Sequence, residues 1–487
     1  MGYKKNKQPV FNNFTDNIEY MKKELGVGES FDAIHLDLNY AERDMGLFLI
    51  DGFAKDKILH FLMKLLADLE PEQLEPDPLL KLMRTYLPYI ELSTEDDLDK
   101  TVFWVLSGAS ALVVDGIDKI IIIDARTYPV RTPSEPDLER VTRGSRDGYV
   151  ETIVFNTALT RRRVRDPSLR MEYMSIGRRS QTDICVSYLK DIADPDIVKQ
   201  IKSSLEKIDT DGLPMADKTV EEYLTGRGWN PYPTVRYTER PDTAAVHLYE
   251  GHVLIMVDGS PSVIITPATF WHHMQHAEEY RQRPVVGAYF RFVRFFAVFI
   301  SLFLLPLWYL FAEQQSLLPE ALSFIGPKEV LAVSLLVQLL LVEVGMDILR
   351  MATIHTSSAM ATSLGLISAV VIGQVAVEVG VLSNEVIFYI ALVAICTYAT
   401  PSYELGLANR ISRIAFLLAT AAFGVLGYVG GIALWTILLT RLNSLGVPYL
   451  WPIIPFSYRA SRDVFYRAPM PAKNRRPKAL HPEDPDR

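Results

Sequence analysis

Between Phe295 and Ala312 the chain runs FFAVFISLFLLPLWYLFA, eighteen residues without a charge, with Arg291 and Arg294 just before it and Glu313 just after. A bilayer core takes about 20 apolar residues of helix to cross, so this run with its flanking turns predicts a membrane helix. It also divides the chain. Before it, polar and apolar positions alternate as they do in soluble α/β sequences; from Val330 to Phe456 nearly everything is apolar. In the first part, IHLDLN and MGLFLIDG have the period of two expected of paired strands, and KDKILHFLMKLLADL has apolar residues at helical spacing. VFWVLSGASALVVDGIDKIIIIDAR reads as the end of a helix, a strand, a turn at Asp115-Gly116 and a β-branched strand.

A second α/β unit follows. It predicts a helix from Tyr149 to Arg165, strands at MEYMSIGR and TDICVSYL, and a helix at DPDIVKQIKSSLEKI. VHLYEGHVLIMVDGSPSVIITP predicts a hairpin turning at Asp258-Gly259. ATFWHHMQHAEEYRQRP then leads to the membrane as an amphipathic helix. The division expected is a polar segment 1–29 with a short charged helix near Asn17–Leu25, a first α/β unit 30–130, a linker 131–148, a second unit 149–290, a helical membrane domain 291–456 and a basic tail 457–487. No repeat of solenoid type is visible.

In the membrane domain, spans are expected at 295–312, 330–349, 360–382, 386–400 and 412–440. Arg281, Arg283, Arg291 and Arg294 put the N-terminal side of the first span in the cytoplasm, and Arg410 and Arg413 fall on the same side by alternation. The tail carries eight Lys or Arg against four acidic residues and so also belongs inside. Five spans would leave it outside. A re-entrant element is therefore expected, either the proline-containing patch VPYLWPIIPF (447–456) or a hairpin bent at GYVGG (Gly427 to Gly431).

Composition narrows the class. A mean hydropathy of +0.12 averages two unlike halves. The net charge of −8 argues against nucleic acid as a partner. Two cysteines, Cys185 and Cys396, lie in different halves and build neither a disulfide framework nor a Cys-based metal site. No phosphate-binding loop, dinucleotide fingerprint or catalytic signature occurs in a fitting context, so neither an enzyme nor a cofactor is expected. His272 and His276 have i,i+4 spacing, but no carboxylate or cysteine joins them at ligand spacing, and a helix surface is the simpler reading.

Charge inside apolar sequence is the informative feature. In LLVQLLLVEVGMDILRMATIH, Glu343, Asp347 and Arg350 share one helix face. Charges in a span face a water-filled cavity or one another, so these three are candidates for a pore mouth or gate; the plain alternative is a span that ends near Glu343. Gln374 and Glu378 form a second i,i+4 pair, between Gly373 and Gly380, where small residues allow close helix approach, and are candidates for a pore or helix-interface role. In the soluble half, TRRRVR (Thr160–Arg165) is either a solvated helix end or a contact for lipid headgroups or acidic subunit surfaces.

These segments resemble the GerA family of spore germinant receptor A-subunits. The resemblance is carried by the run from Ser134 to Val198 (SEPDLERVTRGSRDGYVETIV through KDIADPDIV), TERPD at Thr238–Asp242, EGHVLIMVDGSPSVIITPATF, VIGQVAVEVGVLS and GVPYLWPIIPF. It covers the chain from about residue 130 to its end. It implies a multi-pass protein of the spore inner membrane, with the soluble half cytoplasmic, that assembles with copies of itself, as a pentamer, and releases monovalent cations when germination starts. An accessory channel subunit with a small membrane partner protein is the reading carried forward. A nutrient receptor subunit and a secondary transporter are the alternatives. Arg143, Arg146, Arg161, Arg162 and Arg163, with Glu239 and Arg240, are the candidate subunit contacts. Where the receptors have a second Arg and Leu-Pro after the charged helix, this chain has His355, Thr356 and Ser357.

Overall fold

The computed structural model describes residues 8–53, 55–87, 91–125, 136, 139–226, 229–318, 325–328, 331–354, 358–467, 469, 471 and 475–486. The soluble half is two units built on one plan: a helix, a hairpin, one or more helices, a short strand, a helix and a second hairpin. In the first these are α1 (Phe14–Leu25), β1 (Ala33–Tyr40), β2 (Arg43–Ile50), α2 (Asp56–Ala67), β3 (Leu92–Glu95), α3 (Leu98–Leu106), β4 (Ser110–Val114) and β5 (Ile120–Ile123). In the second they are α4 (Ile153–Arg163), β6 (Leu169–Ile176), β7 (Thr182–Leu189), α5 (Pro195–Glu206), α6 (Ala216–Thr225), β8 (Arg236–Thr238), α7 (Pro241–Glu250), β9 (Val253–Val257) and β10 (Val263–Thr266). The sheets are ordered β1-β2-β4-β5-β3 and β6-β7-β9-β10-β8, the same permutation twice, and every pairing is antiparallel.

Local chemistry repeats with the topology. Each unit closes its last hairpin on Asp-Gly, with Gly116 at φ +75° and Gly259 at φ +86°, a region only glycine enters freely. Near the start of each leading helix a buried asparagine clamps the residue six positions before it. Asn17 accepts from the Phe11 N–H (2.8 Å) and donates to its carbonyl (2.9 Å). Asn156 does the same to Val150 (2.8 and 2.6 Å). Successive residues of the central strands enter opposite cores: Ile120 and Ile122 pack under α1 and α3, while Ile121 and Ile123 join Leu62 and Leu66 of α2. Pleating forces that alternation, and it explains strands that read as unbroken apolar runs. The expected hairpins and helices form, with three differences. Ile18, Met21 and Leu25 of α1 lie in the first core, so the helix belongs to the fold rather than to a free polar segment. VHLYE closes α7 instead of opening a strand. ATFWHHMQH is no helix: it contains a 3-10 turn, His272–Met274, in which Nδ1 of the buried His272 accepts from the Thr269 N–H.

The apolar half holds α8 (Pro284–Glu313), α9 (Leu335–Ile354), α10 (Ser358–Val370, continued through a π turn at Val371–Val375 to Ala376–Glu378), α11 (Asn384–Tyr398) and α12 (Tyr403–Arg441). Among the described residues, α8 and α12 are long and apolar enough to cross a membrane. α12 is folded back on itself. Gly424 has φ +58° and ψ −134°; a Cβ at Gly427 would collide with the Ala419 carbonyl, and one at Gly431 would sit 3.0 Å from the Phe416 ring. The Tyr232 hydroxyl meets both arms, at Ser412 (3.0 Å) and Trp435 (2.6 Å). The hairpin therefore exists, but it bends at Gly424, three residues before GYVGG. Its open end packs with Phe295 through Leu405 and Leu439, and its bend lies beside Gln314, so both arms run along α8 from Phe295 to its end.

After α12 the chain returns to the soluble half through β11 (Asn443–Ser444) and β12 (Val447–Pro448), then α13 (Tyr458–Phe465). The patch at 447–456 is not a re-entrant element. Tyr449 and Leu450 pack with Tyr232, Phe270 and Trp271, and their carbonyls accept from the Phe270 N–H (2.9 Å) and Trp271 Nε1 (3.3 Å). Tyr449 and Leu450 bury against soluble-half aromatics, while Ile454 and Phe456 stay exposed. The tail follows: Leu480 lies in a core of the second unit, and Arg476 donates to the Tyr249 carbonyl (2.8 Å).

Candidate functional site

The charges of α9 meet partners that the sequence had assigned elsewhere. Glu343 is buried, and its carboxylate accepts a fork from Arg413, Nε at 2.8 Å and Nη2 at 3.0 Å. Arg410 Nε lies 3.2 Å from the same carboxylate, and its Nη1 pairs with Asp347. Arg413 also donates to the Ser301 carbonyl of α8 at 2.6 Å. Three helices are thus tied by two carboxylates and two guanidinium groups of balanced charge. Arg413 is the tenth residue after Tyr403, about 15 Å along an arm of about 30 Å at the helical rise, so the cluster lies about midway along that arm. Arg410 and Arg413 are compensated charges inside the bundle. The signal that could have found them is an opposite charge pair in another apolar segment, since an isolated ion there is costly. Arg350 lies over the Tyr398 ring, 5.7 Å from its centroid.

Gln374 and Glu378 are arranged differently. Gln374 lies in the π turn of α10 and Glu378 in the turn that follows; both are exposed. Their side chains have no hydrogen-bond or ionic partner among the described residues. A Cβ added at Gly365, Gly373 or Gly380 would meet nothing within 4 Å, so this helix shows an uncovered face. π turns are frequent at functional sites. His355, Thr356 and Ser357 lie outside the described residues.

Several arginines of the soluble half are engaged within the chain. Arg161 is fully buried, with Nε 3.1 Å and Nη2 3.4 Å from the Asp32 carboxylate, and it bonds the carbonyls of Asp166 and Leu169. It pins the second unit to the first. Arg163 pairs with Asp147. Arg240, fully buried, forks onto Asp242 (3.0 and 2.8 Å) and donates to the Ser145 carbonyl (3.0 Å). Glu239 is partly buried, and its carbonyl accepts from the Tyr149 N–H (2.8 Å). Arg161 and Arg240 therefore hold this chain together and present nothing to a second copy. Arg143, Arg146 and Arg162 are exposed, while the linker residues 131–135 lie outside the described residues. Near α8, burial and then Arg236 drive the pKa of His273 down to about 3, and burial and then Arg294 drive that of His276 down to about 4.

A duplicated α/β half fused to a bundle of apolar helices with an internally compensated ion cluster defines a membrane protein with a large soluble domain. The family described as "Bacillus/Clostridium GerA spore germination protein" matches residues 19–479. The chain belongs to the GerA family of spore germination proteins. It is 46% identical to stage V sporulation protein AF of Bacillus subtilis (strain 168), over 99% of this chain and 98% of that protein. It is 29% identical to the membrane protein YfkQ of the same organism, over 96% of this chain and 92% of that protein. The crystal structure of the N-terminal domain of the A subunit of the Bacillus megaterium germinant receptor GerK3 aligns with a TM-score of 0.43 and 26% identity, covering 55% of this chain and 99% of that one. The resemblance read from the sequence is thereby established.

Proposed function

We propose that this chain is an accessory ion-conducting subunit of the germination apparatus, assembling with copies of itself in the spore inner membrane to pass monovalent cations. One observation carries the reading: α10 combines a π turn at Gln374 with a Glu378 that has no partner among the described residues, while the carboxylates of α9 are neutralised within the chain. A carboxylate in an apolar helix faces water or a partner, and in an oligomer this face would line a shared aqueous path. The alternating rods α8, α9, α10, α11 and the two arms of α12 would make six crossings, leaving the soluble half and the tail together in the cytoplasm. The test is cation flux from liposomes holding purified protein. Glu378→Gln should change the conductance with insertion intact; unchanged flux in a fully assembled variant removes the residue from the path, and a wild type without flux removes conduction. A nutrient receptor subunit is the second reading. It is favoured by a cavity of about 290 Å³ in the soluble half, lined by Asp242, His247, Glu250, Gln275, Tyr280 and Arg281 among others; saturable binding of a small ligand without flux would support it.

A further inference from the structure

The junction between the soluble half and α8 carries an aromatic and basic surface that neither reading uses. Its depth is fixed by the covalent chain. Phe295 opens the uncharged run, and its ring lies 5.5 Å from Phe465 of α13. One turn earlier, Arg291 donates to the carbonyls of Asp463 and Val464 at 2.9 and 3.1 Å. α13 therefore touches α8 where the hydrocarbon core would begin, at the level of the lipid headgroups.

The two faces of α13 differ sharply. Ser461 and Val464 are buried, the Ser461 hydroxyl donating to the Pro452 carbonyl (3.1 Å). On the other face Tyr458, Arg459 and Arg462 are exposed, and Tyr466, just past the end of the helix, is exposed too. Tyr458 is 73% exposed and the preceding Phe456 71%. The first turns of α8 add Val285, Tyr289 and Phe292, at 75%, 63% and 70%. Aromatics of this kind collect at membrane–water interfaces, where one end of the ring is wet. Charge follows the same division. Arg291 and Arg294 are taken up by the buried Glu279. Arg283 and Arg459 are exposed with no ionic partner among the described residues, and Arg462 has only the adjacent, half-buried Asp463 at 3.4 Å.

We propose that α13 and the first turns of α8 form a collar that binds acidic phospholipid headgroups on the membrane face beside the soluble half, with Arg459 and Arg462 on the phosphates and Tyr458 and Tyr466 between the acyl chains. The chemistry is that of an amphiphile with an anionic head, met by guanidinium groups that fork onto phosphate oxygens. A second copy docked by the same patch would set like charges against each other, which disfavours self-association here.

The test uses full-length protein in neutral detergent, with melting temperature followed as phosphatidylglycerol, phosphatidylcholine or inorganic phosphate is added. Phosphatidylglycerol alone should raise it. R459Q/R462Q should need roughly 30-fold more of that lipid for half the shift, the loss expected for two arginines at an acidic surface. These side chains are exposed, so the lipid-free melting temperature should match wild type. Y458S/Y466S, which keeps the charge, should also weaken the response. An undiminished phosphatidylglycerol response in R459Q/R462Q overturns the proposal, as does an equal response to phosphate alone. A smaller assembly with the lipid response retained assigns the face to a second copy and overturns it too.

Discussion

Arg161 sits 129 residues from Asp32 in sequence, and neither side chain reaches solvent. Removing one partner of such a pair strands a charge, which costs about 3–5 kcal/mol, whereas an exposed neighbour is worth within about 0.5 kcal/mol. Arg161→Ala should therefore lower the melting temperature of the soluble half strongly, and Arg162→Ala should leave it almost unchanged. The exchanged pair Asp32→Arg with Arg161→Asp should recover part of the loss. Equal effects of the two alanine variants, measured by thermal unfolding of the purified chain, would show that the ion pair does not join the units. From sequence, the consecutive RRR of TRRRVR presents three arginines of one kind. Only the fold separates them into a buried strut at Arg161, an exposed Arg162 and a half-buried partner of Asp147 at Arg163.

At the scale of elements, the hairpin in α12 depends on one backbone conformation. Gly424 combines a positive φ with an extended ψ, a region costing about 1–3 kcal/mol for a residue with a Cβ. Gly424→Ala should destabilise the protein by that amount and loosen the contact of both arms with α8. Gly430→Ala is the control: its Cβ would meet nothing within 4 Å, and alanine is the better helix former by roughly 0.5–1 kcal/mol. Melting temperatures of the two variants in one detergent decide it, and a Gly424→Ala variant as stable as Gly430→Ala would mean that the bend is not set by glycine. The elements of the soluble half were legible because apolar period is a local property. IHLDLN and MGLFLIDG pair as expected, as do the strands flanking Asp115-Gly116 and Asp258-Gly259. The helical reading of ATFWHHMQH failed because burial of His272 and its bond to Thr269 outweighed a loose apolar spacing.

At the scale of the whole molecule, the tail shares a side with the soluble half because it is built into it. A cysteine at the exposed Lys478, in a background lacking Cys185 and Cys396, should resist an impermeant thiol reagent in intact cells and react once they are opened. Labelling in intact cells would place soluble half and tail together outside. The sequence by itself determined the division into a soluble and an apolar half, most strands and helices, the charge bias of the tail and the family, because these follow from local period, composition and motif. Tertiary structure decided the rest. The matching sheet orders, the partners of Glu343 found in α12, the fold-back at Gly424 and the docking of 447–456 join residues far apart in the chain. No periodicity encodes which buried charge meets which; that is settled when packing leaves each ion a single place where it is neutralised.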